Sequence, residues 1–273
     1  MSILTTSYQI PPLTKKFDTQ VTLPGSKSIA LRQLAISALV DGKTILSGIP
    51  ECDDIDAMIE CLKTLGARIQ QRNNELEISG PIDLSDKTIS INTRMSGAST
   101  RILIGLAALR KGLTRIDGHE SLRKRTNEPL LKTLEQMGCI VKREGVGLPV
   151  EISGPVMNRE LEIAGNISSQ YVTALLLISP FVNQEKGVVI NITGELVSKP
   201  YIDITINEMR KRGLRVRWSG SRDLVVESGS YSDGEYSIEG DATAASYFSA
   251  LATIHNLSLI HISEPTRPLY ISY

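Results

Sequence analysis

The feature that most limits what this chain can fold into is that it repeats itself. A Gly/Ser-rich turn, an apolar run, a short β-branched stretch, an amphipathic run and two further short β-branched stretches recur at intervals of roughly 70 residues. The first copy opens with Gly25-Ser26-Lys27-Ser28 and runs into LRQLAISALV, then DGKTILSG, DDIDAMIECLKTLGARI and ELEISG. The second opens with Ser96-Gly97-Ala98-Ser99-Thr100-Arg101 and continues through ILIGLAALRKG, LTRIDG, EPLLKTLEQMGCIV and PVEISG. The third opens with Gly165-Asn166-Ile167-Ser168-Ser169-Gln170 and continues through YVTALLLISPFV, KGVVINITG, YIDITINEMRKRGLRV and LVVESG. A fourth begins at Gly240-Asp241-Ala242-Thr243 with AASYFSALATI.

Each copy has the same physical reading. The apolar run has no polar face, so it predicts a buried helix. The amphipathic run spaces its apolar residues at i, i+3 and i+4, as in Ile55, Met58, Ile59, Leu62 and Leu65, or Leu130, Leu131, Leu134 and Met137. It meets a glycine at Gly66, Gly138 or Gly213, the left-handed position that ends many helices. The unit is therefore helix, strand, helix, strand, strand. It is too long for an ordinary solenoid repeat, and three copies can share one core.

The helix openings carry the candidate chemistry. The first turn of a helix has free backbone N–H groups and a positive dipole end, which together attract anions. Copies packed about a pseudo-threefold axis would bring several such ends to one face. Lys27 and Arg32 suit a phosphate or carboxylate, Arg32 as a bidentate fork. Lys27 is not a P-loop lysine, because the glycines that motif needs are absent; a solvated turn with a surface lysine is the alternative. Arg101 lies inside the second apolar helix, where a charge serves either structure or a ligand. Arg123, Lys124 and Arg125 form a basic run in a loop, ordinarily a solvated feature. Ser168, Ser169 and Gln170, and then Ser198-Lys199-Pro200-Tyr201, supply hydroxyl and amide groups at two more helix starts and read, taken singly, as capping chemistry. Asp241 is a candidate N-cap.

Composition removes other classes. Lys+Arg and Asp+Glu stand at 30 each, so there is no global pull towards nucleic acid or an anionic membrane. The three cysteines, Cys52, Cys61 and Cys139, have neither the number nor the spacing for a disulfide framework or a zinc site. No segment reads as a signal peptide or as a bilayer span, so a cytoplasmic location is expected.

Taken together, LPGSKS with Arg32, GNISSQYVTALLL, SKPYIDIT and EGDATAASYF stand in the order and separation found in the enolpyruvyl transferases. Over about residues 8–256 the chain resembles their 5-enolpyruvylshikimate-3-phosphate synthase branch. The resemblance implies an α/β (α+β) fold of three βαβαββ-type units, an inside-out α/β barrel. It implies carboxyvinyl transfer from phosphoenolpyruvate to the 5-hydroxyl of shikimate 3-phosphate, by a monomer with no metal or organic cofactor. By the same resemblance Lys27 contacts both substrates and is the catalytic candidate. Ser28 and Arg32 hold shikimate 3-phosphate. Ser168, Ser169 and Gln170 bind its phosphate and ring, with Ser198 on the phosphate and Tyr201 nearby. Gly97 and Arg125 belong to the phosphoenolpyruvate side, with Arg123 the alternative to Arg125. Met95 and Ala98 stand where the family has Asn and Thr, and Thr126 where it has Pro; each lost hydrogen bond is worth about 0.5–1.5 kcal/mol. Two other readings are a sister enzyme acting on UDP-N-acetylglucosamine, disfavoured by the Ser-Ser-Gln and Ser-Lys-Pro-Tyr segments, and a non-catalytic anion-binding repeat module.

The resemblance also divides the chain. Residues 21–237 are expected to form one complete domain, and 1–20 with 238–256 to be fragments of a second that holds the rest of the active site. Residues 257–273 (LSLIHISEPTR onwards) read as the in-frame translation of a transposon-based sequencing adapter, and a divergent natural tail is the alternative.

Overall fold

The computed structural model describes residues 9, 19–158, 160–182, 187–255, 257 and 258. The run behind Gly25 forms helix α1 (Lys27–Ser37), in which every residue from Ala30 onwards is buried. It is followed by β1 (Lys43–Ser47), α2 (Asp53–Thr64), β2 (Arg68–Arg72) and β3 (Glu75–Ser79). The second unit comprises β4 (Ile89–Asn92), α3 (Gly97–Ala107), β5 (Thr114–Asp117), α4 (Glu120–Arg123), α5 (Glu128–Gln136), β6 (Ile140–Arg143) and β7 (Val150–Ser153). The third comprises β8 (Glu160–Ala164), α6 (Ser169–Val182), β9 (Val188–Thr193), α7 (Lys199–Lys211), β10 (Val216–Ser219) and β11 (Asp223–Val226). Then come β12 (Gly234–Ser237) and α8 (Ala242–Ile254).

The repeat seen in sequence is a repeat in topology. Three four-stranded sheets share one plan, in the orders β12-β1-β3-β2, β4-β5-β7-β6 and β8-β9-β11-β10. In each the first two strands are parallel and the rest antiparallel. A parallel neighbour needs a crossover, and α3 and α6 supply it in the second and third units. In the first unit the parallel neighbour of β1 is β12, drawn from the far end of the repeat array, so the array closes on itself.

The apolar helices α1, α3 and α6 pack on one another, and the sheets and amphipathic helices cover them. Helix α2 turns Ile55, Met58 and Leu62 inward, α5 Leu130, Leu131 and Leu134, and α7 Ile202, Ile206 and Met209. Each such side chain contributes about 1.5–3 kcal/mol by leaving water. All three amphipathic helices end alike. Gly66, Gly138 and Gly213 take φ of 107°, 99° and 87°, and the residue after each donates its N–H to the carbonyl five positions back, Leu62, Leu134 or Met209.

One expectation needs correcting. The basic run 123–125 is not all loop: Arg123 ends the short helix α4 and Lys124 caps it. The His119 side chain accepts the Ser121 N–H and starts that turn, which gives the segment a local reason to wind.

The described residues divide into two compact units, Pro24–Gly240 and the residues outside it. In the second, Asp241 is the N-cap of α8, accepting from the N–H groups of Thr243 and Ala244, and none of the helix's residues is buried. The segment read as adapter-derived lies outside the described residues except for 257 and 258.

Candidate functional site

The starts of α1, α3, α6 and α7 meet at a cleft of about 310 Å³, lined among others by Lys27, Ser28, Arg32, Ala98, Ser168, Ser169, Gln170, Ser198 and Tyr201. The helix openings that looked separate in sequence therefore converge, and eight of the ten candidate residues lie on one surface. Among the described lining residues none is acidic. The cleft offers cations, hydroxyls, an amide and helix N-termini, a donor set suited to a polyhydroxylated anion.

Lys27 stands at the mouth. Its Nζ is 2.6 Å from Asp54 in the first turn of α2, and its side chain is about half exposed (48%). Asp54 thus helps to set where this cation sits. Arg32 forms the floor and is buried. Its Nε donates to Thr205 Oγ1 at 2.7 Å, Nη1 to Ser28 O at 2.6 Å, and Nη2 to Tyr201 O at 3.0 Å and Thr173 Oγ1 at 3.2 Å. Burial lowers its pKa to about 10, partly opposed by the nearby Glu208 carboxylate, so it remains a cation at neutral pH. Arg32 thereby ties α1 to α6 and α7 and carries its charge directly beneath the cleft.

The third unit supplies the facing wall. Ser168 Oγ accepts the Gln170 N–H at 3.2 Å at the start of α6, and Ser169 is buried. Ser198 takes a left-handed conformation (φ 55°, ψ 40°) and makes no side-chain cap to α7. This conformation costs a non-glycine residue on the order of 1 kcal/mol, and the hydroxyl stays unspent on the helix.

Gly97 and Arg125 are not among the residues lining the cleft, although Ala98 is. They lie beside each other: a Cβ built on Gly97 would fall 2.7 Å from Arg101 Nη1 and 3.4 Å from Arg125 Nη1. A side chain here would push the Arg101 guanidinium aside and touch that of Arg125. Arg101 is buried, donates to Gly97 O at 2.8 Å and Thr126 O at 3.4 Å, and keeps an unpartnered Nε. Burial lowers its pKa, as does the neighbouring Arg125 charge, while Tyr171 opposes the shift. Arg123, by contrast, donates to the Asp117 carboxylate at 2.8 and 3.2 Å, an ion pair that raises its pKa. Arg125 is thus the basic residue of this run that faces Gly97.

Several residues of the site escaped sequence reading. Asp54 is hidden within the acidic run at the start of α2, where dipole compensation already explains it. Thr173 and Thr205 lie mid-helix with no local signal. Arg94 has a φ of 50° and pairs with Asp53 at 2.6 Å and Glu60 at 2.5 Å, holding the turn before α3 against α2. Among the described residues no group of three or more His, Cys, Asp or Glu is placed to hold a metal ion, and no helix is long and apolar enough to cross a membrane.

Comparison with known proteins identifies the family and the fold. The family model for EPSP synthase (3-phosphoshikimate 1-carboxyvinyltransferase) matches residues 13–265. The chain is 36% identical over 244 residues to the 3-phosphoshikimate 1-carboxyvinyltransferase of Bordetella petrii, covering 86% of this chain and 55% of that protein. It is 36% identical over 252 residues to the enzyme of that name from Shewanella pealeana, covering 88% and 58%. The solved EPSP synthase of Acinetobacter baumannii superposes with a TM-score of 0.72 at 24% identity, covering 86% of this chain and 52% of that one, which establishes likeness of fold. The chain spans somewhat over half the length of these relatives. With the threefold repeat, the sheet plan and the family match in agreement, the chain belongs to the EPSP synthase (3-phosphoshikimate 1-carboxyvinyltransferase) family.

Proposed function

We propose that this chain is the acceptor-binding half of an enzyme that transfers the carboxyvinyl group of phosphoenolpyruvate to the 5-hydroxyl of shikimate 3-phosphate, releasing phosphate. The observation that carries this reading is the convergence of Lys27, Ser28, Arg32, Ser168, Ser169, Gln170, Ser198 and Tyr201 on one cleft without a lining carboxylate. In the proposed reaction the 5-hydroxyl loses its proton and its oxygen bonds to the enol carbon while a proton adds to the methylene carbon. Phosphate then leaves the former enol carbon, whose bond to the phosphate oxygen breaks, as a proton is lost from the new methyl group and the carbon–carbon double bond re-forms. On this reading the serine hydroxyls and Gln170 hold the acceptor's phosphate and ring, with Arg32 beneath. Lys27, held by Asp54, lies between the two substrates, and Arg125 beside Gly97 receives the anionic ends of phosphoenolpyruvate. The contribution of this half is orientation and preorganised positive charge; proton transfer draws on groups of the remaining half. Residues 1–20 and 238–256 belong, on the same reading, to that second domain, and the protein works as a cytoplasmic monomer. The chain alone binds acceptor without turnover.

The test is calorimetric titration of the chain with shikimate 3-phosphate, with UDP-N-acetylglucosamine as the control. The expected result is binding of the former alone, weakened at least tenfold by Ser169→Ala. Ser169 is the better probe because Arg32→Ala would also remove the floor that joins three helices. Equal binding of both compounds, or of neither, would overturn the assignment. Turnover after the second half is restored would exclude the reading of a binding-only module.

A further inference from the structure

Tyr171 directly follows Ser168-Ser169-Gln170 in the chain yet is buried (2% exposed). Its hydroxyl donates to the backbone carbonyl of Thr126 at 2.7 Å, across 45 residues of sequence. Thr126 adjoins Arg125. The same carbonyl takes a longer bond, 3.4 Å, from Arg101 Nη2, while Arg101 Nη1 holds Gly97 O. A three-way junction therefore joins the start of α6, the start of α3 and the loop that carries Arg125. Arg101 is the weaker brace: it is a buried cation, its Nε is unpartnered, and among the described residues no carboxylate pairs with it. Other contacts fix the flanks rather than this carbonyl: Arg125 N–H donates to Leu122 O and Asn127 N–H to Val146 O. Burial raises the pKa of the Tyr171 phenol, so it remains a hydrogen-bond donor at any physiological pH.

We propose that Tyr171 is a positioning residue for Arg125: through Thr126 O it ties the acceptor-binding segment of α6 to the loop that presents this guanidinium beside Gly97. The proposal rests on the functional reading above. It makes the two substrate subsites mechanically continuous, because the helix turn that holds Ser169 and Gln170 also anchors the loop that holds Arg125.

The experiment compares the full chain with Tyr171→Phe, which keeps the ring and removes only the hydroxyl. Amide hydrogen exchange over 122–127 should quicken about tenfold while exchange in α1 is unchanged, since the hydroxyl's bond to a buried carbonyl is lost together with its contact with Arg101, the other brace of that carbonyl. Affinity for shikimate 3-phosphate should stay within twofold. Affinity for phosphoenolpyruvate, titrated with shikimate 3-phosphate saturating, should fall about tenfold. The double variant Tyr171→Phe/Arg125→Ala should bind phosphoenolpyruvate no more weakly than Arg125→Ala alone, a non-additivity that general destabilisation would not produce. Unchanged exchange in the loop overturns the proposal, and so does a loosened loop with unaltered phosphoenolpyruvate affinity. If the parent chain takes up neither substrate, the functional reading falls, and the exchange measurement still decides whether Tyr171 anchors the loop.

Discussion

Arg32 shows what a charge inside an apolar helix requires. Its donors go to two threonine hydroxyls and two carbonyls, because a buried cation left without acceptors would cost several kcal/mol. The buried thiols follow the opposite rule. Burial raises both Cys61 and Cys139 to about 12 from an ordinary 9.0. A group whose pKa rises on folding stabilises the fold below its unfolded pKa and loses that contribution as pH climbs towards the folded value. Arg32, lowered to about 10 from 12.5, has the reverse sign and strengthens the fold only above about pH 10. Between about pH 9 and 10 the thiols therefore lower stability, and the buried phenols of Tyr171 and Tyr231, also raised by burial, add to the same trend towards the upper end. The urea midpoint should decline over that interval, and the double variant Cys61→Ala/Cys139→Ala, though less stable at pH 7, should decline more slowly. Parallel slopes would contradict the assignment.

At the scale of elements, the helices were the legible part. The spacing in α2, α5 and α7 and the glycines that end them specify local structure that folded as read. These caps differ in their surroundings, which yields a comparison. An alanine at Gly138 would meet only Met157 Cε at 3.6 Å, whereas at Gly66 the new Cβ would lie 2.9 Å from both the backbone N and the Cβ of Asp83. Gly138→Ala should cost only the left-handed penalty, about 1–2 kcal/mol. Gly66→Ala should cost distinctly more, because backbone must also move. Thermal unfolding of the two variants checks the order; at about 2–4 °C per kcal/mol for a chain of this size the difference is measurable. Helix α4 was not legible, since it rests on a histidine side-chain cap too short-ranged and uncommon to read in a basic run.

For the Pro24–Gly240 unit as a whole, closure of the repeat array is the decisive event. Strand β12 adds in parallel to β1, and Arg212, at the end of α7, is fully buried beneath the join. Its guanidinium donates to Gln33 Oε1 at 2.8 Å, Ser232 O at 2.9 Å, Thr44 Oγ1 and Ser37 Oγ, and lies 3.8 Å from the Tyr236 ring. One side chain thus links the third unit to α1, β1 and the closing strand. Arg212→Met would keep much of the volume but strand several buried acceptors, each worth about 1–3 kcal/mol. A loss of ~3 kcal/mol or more in chemical denaturation is expected, with amides of β1 and β12 exchanging first. A loss below 1 kcal/mol would show that the strand pairing alone closes the array.

What the sequence determined by itself was the repeat, its helices and their ends, and the residue types at each helix opening, because periodicity, glycine conformation and N-terminal dipoles act over a few residues. Tertiary structure alone decided which openings meet. It paired β1 with a strand about 190 residues away, set Asp54 against Lys27, gave Arg123 to Asp117 and left Arg125 beside Gly97. It also placed the Tyr171 hydroxyl on Thr126. Those outcomes depend on distances between elements far apart in the chain, and no local pattern encodes a distance across a core.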